Sequence, residues 1–181
     1  EAFELAIAQG ADGVECDLVP TRDGELILRH ENWLNGTTDI ESHPQFAERS
    51  RAGYSDGITE NGFFSEDFDL AELETVRAIE RLPEVRPGSA KFNGEFKIPT
   101  LDQLLAASFM DGKTLVIGFP LSSNSLIFAW AKSLATTNVP VSSTLVLTGY
   151  FDNWAKISAI FAVKSIFISG PSKSSFVAAG R

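Results

Sequence analysis

Apolar and polar positions change period several times along this chain, and each change marks an element. Residues 1–9 read as the tail of an amphipathic helix without an N-cap, and Gly10 fits the left-handed position that ends many helices. Residues 13–19 and 25–30 read as strands joined through Asp23-Gly24, a turn pair that on its own suggests a hairpin. From Glu31 to Lys97 the chain is polar, acidic and punctuated by glycine. One helix is predicted there, Asp69–Glu80, from Leu70, Leu73, Val76 and Ile79 at helical spacing. Thr100 is placed to cap a further helix over Leu101–Ser108.

After Gly112 the order alternates: strand Thr114–Phe119, helix Ser125–Ala135, strand Thr144–Phe151, helix Asn153–Phe161, and a short strand Ser165–Ser169. Strands alternating with helices at this spacing predict an α/β fold with a parallel sheet and helices outside it.

Composition narrows the function classes. A chain of 181 residues with 44% hydrophobic content can bury one sizeable core. No apolar run approaches the ~18 residues of a membrane span. The net charge of −9 argues against a nucleic-acid partner, which would want a basic face. The charge is uneven: residues 1–112 hold 23 acids and 9 bases, whereas residues 113–181 hold Asp152 as their only acid and 6 bases. Such a break marks a boundary, a diverged half or a shift in reading frame; divergence is the reading preferred. One cysteine excludes an internal disulfide.

The densest chemistry lies in Gly10–His30. In an extended strand Glu15 and Asp17 share one face, while Val14, Cys16 and Leu18 share the other. Two neighbouring carboxylates repel unless a hard cation uses their oxygens, which points to Mg²⁺ or Ca²⁺ rather than zinc. His30, ending the next apolar run, is placed as a proton-transfer group and is expected at the same sheet end as the pair. The blander alternatives are a solvated acidic strand face and a structural histidine. Cys16, on the opposite face, reads as a core thiol; His43 reads as a surface or packing residue. Trp130 and Trp154 read as packing residues, and Trp33 alone among the tryptophans is a candidate for lining a pocket.

The stretch GADGVECDLVPTRDGELILRHEN resembles the glycerophosphodiester phosphodiesterase family, with Arg22 where lysine is usual and Glu31 where aspartate is common. The likeness continues through Gly36-Thr37-Thr38-Asp39-Ile40, Glu80-Arg81-Leu82-Pro83 and Ile98–Leu105, over roughly residues 1–106. It is closest in wording to the longer, secreted or periplasmic type, and only that analogy favours an extracytoplasmic location.

The resemblance implies an incomplete TIM-type (β/α)₈ barrel. Residues 13–19 and 25–30 would be its second and third strands, about 31–97 a long insertion over its mouth, and about 113–181 a diverged part of the same domain. It implies metal-dependent hydrolysis of glycerophosphodiesters to glycerol 3-phosphate and an alcohol. Glu15 and Asp17 would be metal ligands, and His30 one of two catalytic histidines. The other histidine and a phosphate-contacting arginine belong to a His-Arg-Gly segment of the first strand, expected upstream of Glu1. Residues 1–181 alone are therefore expected to be inactive. The family's third metal carboxylate falls on Gly118, which has no side-chain ligand. That departure keeps a second reading open, a non-catalytic barrel that binds a phosphate ester or a partner. A phospholipase D-like lyase is a third, against which the Glu80–Pro83 and Pro99–Leu101 segments count.

Overall fold

Val14, Cys16 and Leu18 turn into the core from the first strand, β1 (Gly13–Pro20), while Glu15 and Asp17 alternate to the more accessible face. The computed structural model describes residues 1–118, 144–148, 166–169 and 176–178. The helices expected at Ser125–Ala135 and Asn153–Phe161 lie outside the described residues, as do Trp130 and Trp154. The chain forms two compact units, Glu1–Leu18 with Leu101–Arg181, and Val19–Thr100.

In the first unit, helix α1 (Ala2–Ala8) closes where Gly10 takes φ +100°. There the Gly10 N–H donates to the Ile7 carbonyl (2.9 Å) and the Ala11 N–H to that of Ala6 (3.1 Å), the paired bonds of a Schellman ending. Strand β5 (Thr114–Gly118) lies parallel to β1, with Gly13 beside Thr114, Glu15 beside Val116 and Asp17 beside Gly118. Strands β6 (Thr144–Thr148) and β7 (Ile166–Ser169) continue the parallel sheet. The expected parallel order is therefore present, and the expected strand end beyond Thr148 lies outside the described residues. The antiparallel β8 (Phe176–Ala178), which the sequence pattern had not disclosed, follows β7.

Gly13 has a packing reason: a Cβ there would stand 2.5 Å from the Thr114 carbonyl oxygen. Leu115 and Ile117 of β5 are buried, as are Leu101, Leu104 and Leu105 of helix α3 (Leu101–Leu105). That helix stops before the expected Ser108. Ala107 takes an extended conformation and Ser108–Met110 form a 3₁₀ turn that buries Met110.

In the second unit, β2 covers only Leu26–Leu28; Arg29 and His30 follow it as irregular chain. The Thr21–Glu25 turn is closed by Gly24 at φ +86° and by the Thr21 N–H donating to the Glu25 carbonyl (2.9 Å). The polar stretch from Glu31 to Lys97 contains a hairpin that the sequence pattern had not disclosed, β3 (Arg51–Ser55) and β4 (Ile58–Gly62). Its Asp56 (φ +43°) and Gly57 (φ +88°) supply the two left-handed residues of a tight hairpin turn. Val19, Ile27, Leu34, Ile40, Phe46, Phe63, Phe68, Leu73, Val76 and Ile98 close over one another as this unit's core.

The helix expected over Asp69–Glu80 is the clearest departure. Only α2 (Leu70–Leu73) forms, with the Glu72 carboxylate accepting from the Asp69 N–H at 3.0 Å. Beyond Val76 the backbone finds other partners. The Arg77 N–H donates to Asp39 Oδ1 (2.7 Å), the Ala78 N–H to the Phe96 carbonyl (2.8 Å) and the Ile79 N–H to that of Thr37 (3.0 Å). Leu73 and Val76 are buried as their spacing predicts, so the periodicity reported burial correctly and helix length wrongly.

Candidate active site

Burial divides β1 into two chemistries. Cys16 is enclosed, and its thiol is pushed up to about 12, chiefly by burial and then by the neighbouring Glu15 and Asp17 charges. It is a core thiol, inert at neutral pH. On the other face Glu15 is exposed and Asp17 half-buried. By register, the position beside Asp17 on β5 is Gly118, and the position beside Gly118 on β6 is Thr148. The donor set fits a hard divalent cation as far as it goes: two carboxylates on one accessible face, next to a glycine that supplies nothing.

His30 lies two residues beyond β2, with its side chain 65% exposed. Its Nδ1 is 3.3 Å from Glu31 Oε1. Asp56, brought up by the β3–β4 turn, completes a group in which ligand atoms of His30, Glu31 and Asp56 lie within 4.8 Å of one another. Asp56 was not singled out from the sequence, although the Asp56-Gly57 pair is the hairpin signal that would have found it.

A concavity of about 470 Å³ opens beside this histidine, lined by His30, Glu31, Thr37, Glu80, Arg81 and Arg86 with Ile79. Arg29 organises the loop behind His30. Its Nε donates to the Glu31 carbonyl (3.1 Å), and its Nη2 to the Trp33 carbonyl and Thr37 Oγ1, both at 2.8 Å. Burial lowers the Arg29 guanidinium to about 10, partly offset by Glu31, and it remains a cation at neutral pH.

Trp33 does not line this concavity; its indole N–H donates to the Asn61 carbonyl at 3.2 Å. His43 has the packing role expected of it. Its ring stacks on Phe46 with centroids 5.6 Å apart, and its Nε2 lies 3.2 Å from Asp39 Oδ1. The Thr21–Gly24 turn is a clasp: Asp23 Oδ1 accepts from the Leu70 N–H at 3.0 Å, and Arg22 Nε donates to Asp69 Oδ1 at 2.8 Å.

Over 123 residues the chain is 37% identical to a glycerophosphodiester phosphodiesterase of Arabidopsis thaliana, covering 68% of this chain and 32% of that protein. Over 127 residues it is 27% identical to a glycerophosphodiester phosphodiesterase of Caldanaerobacter subterraneus, covering 70% of this chain and 40% of the other. The chain thus spans between a third and two-fifths of the length of these relatives. Among solved structures, an Oleispira antarctica phosphodiesterase in complex with the product sn-glycerol-3-phosphate is similar with TM-score 0.62 and 18% identity. That match covers 95% of this chain and 61% of the other. The likeness gives the fold, an incomplete TIM-type (β/α)₈ barrel. The profile of the Glycerophosphoryl diester phosphodiesterase family matches residues 1–158, and the chain belongs to that family.

Proposed function

We propose that the protein carrying this chain hydrolyses glycerophosphodiesters to glycerol 3-phosphate and an alcohol with the help of a divalent cation, Ca²⁺ or Mg²⁺. The observation that carries this reading is the accessible acidic face of β1, with Glu15 and Asp17 side by side and the apolar residues turned into the core. The product named with the Oleispira structure supports the substrate class.

Glu15 and Asp17 are the carboxylates assigned to the cation. When bound, it neutralises charge on phosphoryl oxygens. His30 is assigned the proton. Nδ1 lies 3.3 Å from Glu31 Oε1, which favours the tautomer protonated at Nδ1, and Nε2 is the atom assigned to take or return a proton. Arg29 positions the loop from Glu31 to Thr37 that presents this pair. Residues 1–181 are read as part of one phosphodiesterase barrel domain, with about 31–97 inserted and about 113–181 diverged.

The test is glycerol 3-phosphate release from glycerophosphocholine by the full-length protein. Turnover should need Mg²⁺ or Ca²⁺, stop with EDTA and return when the cation is restored. Turnover indifferent to chelation would refute the role of Glu15 and Asp17. Gly118 favours one other reading, a barrel that binds phosphate esters without cleaving them, because it stands beside Asp17 where a third ligand would lie. Retained binding of glycerol 3-phosphate with no turnover of any diester would establish that alternative.

A further inference from the structure

The phosphodiesterase reading uses only one edge of the concavity beside His30. The rest of its wall carries Thr37, Glu80, Arg81 and Arg86, and its volume of about 470 Å³ is that of a small-molecule site. Arg86 and Glu80 match each other: Arg86 Nη2 lies 2.8 Å from Glu80 Oε1, and the Glu80 side chain is only 9% exposed. His30 faces Glu31, a charge pair only while the imidazole is protonated. Arg81 has no ion-pair or hydrogen-bond partner among the described residues, which leaves its guanidinium open to a ligand.

The Arg81 side chain is exposed, and the backbone on either side of it is tied down. The Glu80 N–H donates to Asn93 Oδ1 at 2.7 Å, and the Leu82 N–H donates to Glu80 Oε1 at 2.9 Å. Among the described residues no Phe, Tyr or Trp side chain lines the concavity; Phe92 and Phe96 stack on each other in a separate one. A quaternary ammonium would therefore find no ring faces here. A carboxylate or phosphate would find a planar fork of N–H donors, the geometry that suits those groups.

We infer that the concavity receives the alcohol headgroup and that Arg81 selects diesters whose headgroup carries an anionic group of its own, a carboxylate or a second phosphate, over those bearing a quaternary ammonium. This rests on the phosphodiesterase reading above. Arg81 is a specificity determinant and takes no part in proton transfer.

The experiment measures kcat/KM of the full-length protein for glycerophosphocholine, glycerophosphoserine and glycerophosphoinositol 4-phosphate. At least one anionic substrate should exceed glycerophosphocholine by about tenfold, the scale of one charge-assisted contact in an open site. The two anionic arms tell carboxylate from phosphate. Arg81→Ala should bring the ratio close to one, mainly through KM, and Arg81→Lys should keep part of it. A wild-type preference for glycerophosphocholine, or a ratio unchanged in Arg81→Ala, overturns the inference. So does an equal loss on all three substrates, which would make Arg81 structural. If none of the three is turned over, the phosphodiesterase reading fails by itself. Calorimetry with inositol 4-phosphate then decides the concavity: about tenfold weaker binding to Arg81→Ala upholds it, and equal binding overturns it.

Discussion

The two compact units are stabilised by different means, and the difference decides where chemistry can sit. In Glu1–Leu18 with Leu101–Arg181, parallel ladders set the order, and alternation along β1 divides buried Val14, Cys16 and Leu18 from accessible Glu15 and Asp17. The carboxylates assigned to the cation there need no special backbone, only the accessible face of a strand. In Val19–Thr100 the core is aromatic, with Phe46 edge-on to Phe68 at 5.1 Å and Phe63 tilted on it at 6.2 Å. Arginines cover that core and pair outward. Arg49 lies 5.0 Å over the Phe68 ring and holds Glu72 at 2.7 Å, while Arg51 lies 4.4 Å over Phe64. The groups assigned to proton transfer and headgroup choice, His30 and Arg81, sit on irregular backbone that this clustered core supports.

Substitutions in the two units should separate in kind. His30→Ala in the full-length protein should lower turnover about 10²–10⁴-fold while cation affinity stays put. Asp17→Asn should raise the Mg²⁺ or Ca²⁺ concentration needed for half-maximal activity. A titration of activity against cation for both variants checks this, and the same cation shift in both would erase the proposed division of labour.

Stability offers the next contrast. Phe68→Ala should cost about 3–5 kcal/mol, because a fully buried ring leaves a cavity among Phe46, Phe63 and the Arg49 stem. Hydrogen exchange should show the loss first in Val19–Thr100. Loss of protection in β5 at the same denaturant concentration would show that the units unfold as one.

In the other unit, Gly13→Ala pushes a methyl group against the Thr114 carbonyl. About 1–3 kcal/mol is expected, as for overpacked sites, and it should appear as lost amide protection in β1 and β5. Unchanged stability would mean that the β1–β5 approach is looser than the register implies.

The smallest effect concerns acid. Hydrogen bonding from Arg49 lowers the Glu72 carboxyl from 4.5 to about 2. Once unfolded, the group binds a proton below about pH 4.5, while the folded form stays ionised down to about 2. The contribution is thus complete above pH 4.5 and fades as the pH falls through that window. Glu72→Gln should flatten this slope and cost about 0.5–1 kcal/mol at neutral pH, the scale of a partly exposed ion pair. Denaturant midpoints at pH 3 and pH 7 test it; a slope identical in both proteins would assign the acid sensitivity elsewhere.

Sequence alone determined what short-range rules fix. Side-chain alternation placed Glu15 and Asp17 opposite Cys16, because a strand's period of two leaves no choice once Val14 and Leu18 are buried. Gly10 ended α1 and Gly24 closed the Thr21–Glu25 turn, because the left-handed backbone there favours glycine. Strand–helix alternation disclosed the parallel order and the family motifs its barrel. Tertiary structure decided the rest. The helix read over Asp69–Glu80 shrank to Leu70–Leu73 because Asp39, Thr37 and Phe96 supply the backbone partners a longer helix would have supplied itself. Arg29 turned inward to three acceptors that lie two to eight residues away, a destination its place beside His30 does not encode. The concavity with Arg81 depends on Thr37 meeting Glu80 and Arg86 across more than forty residues of chain. Contacts at that separation form because the aromatic core closes, and no local pattern records them.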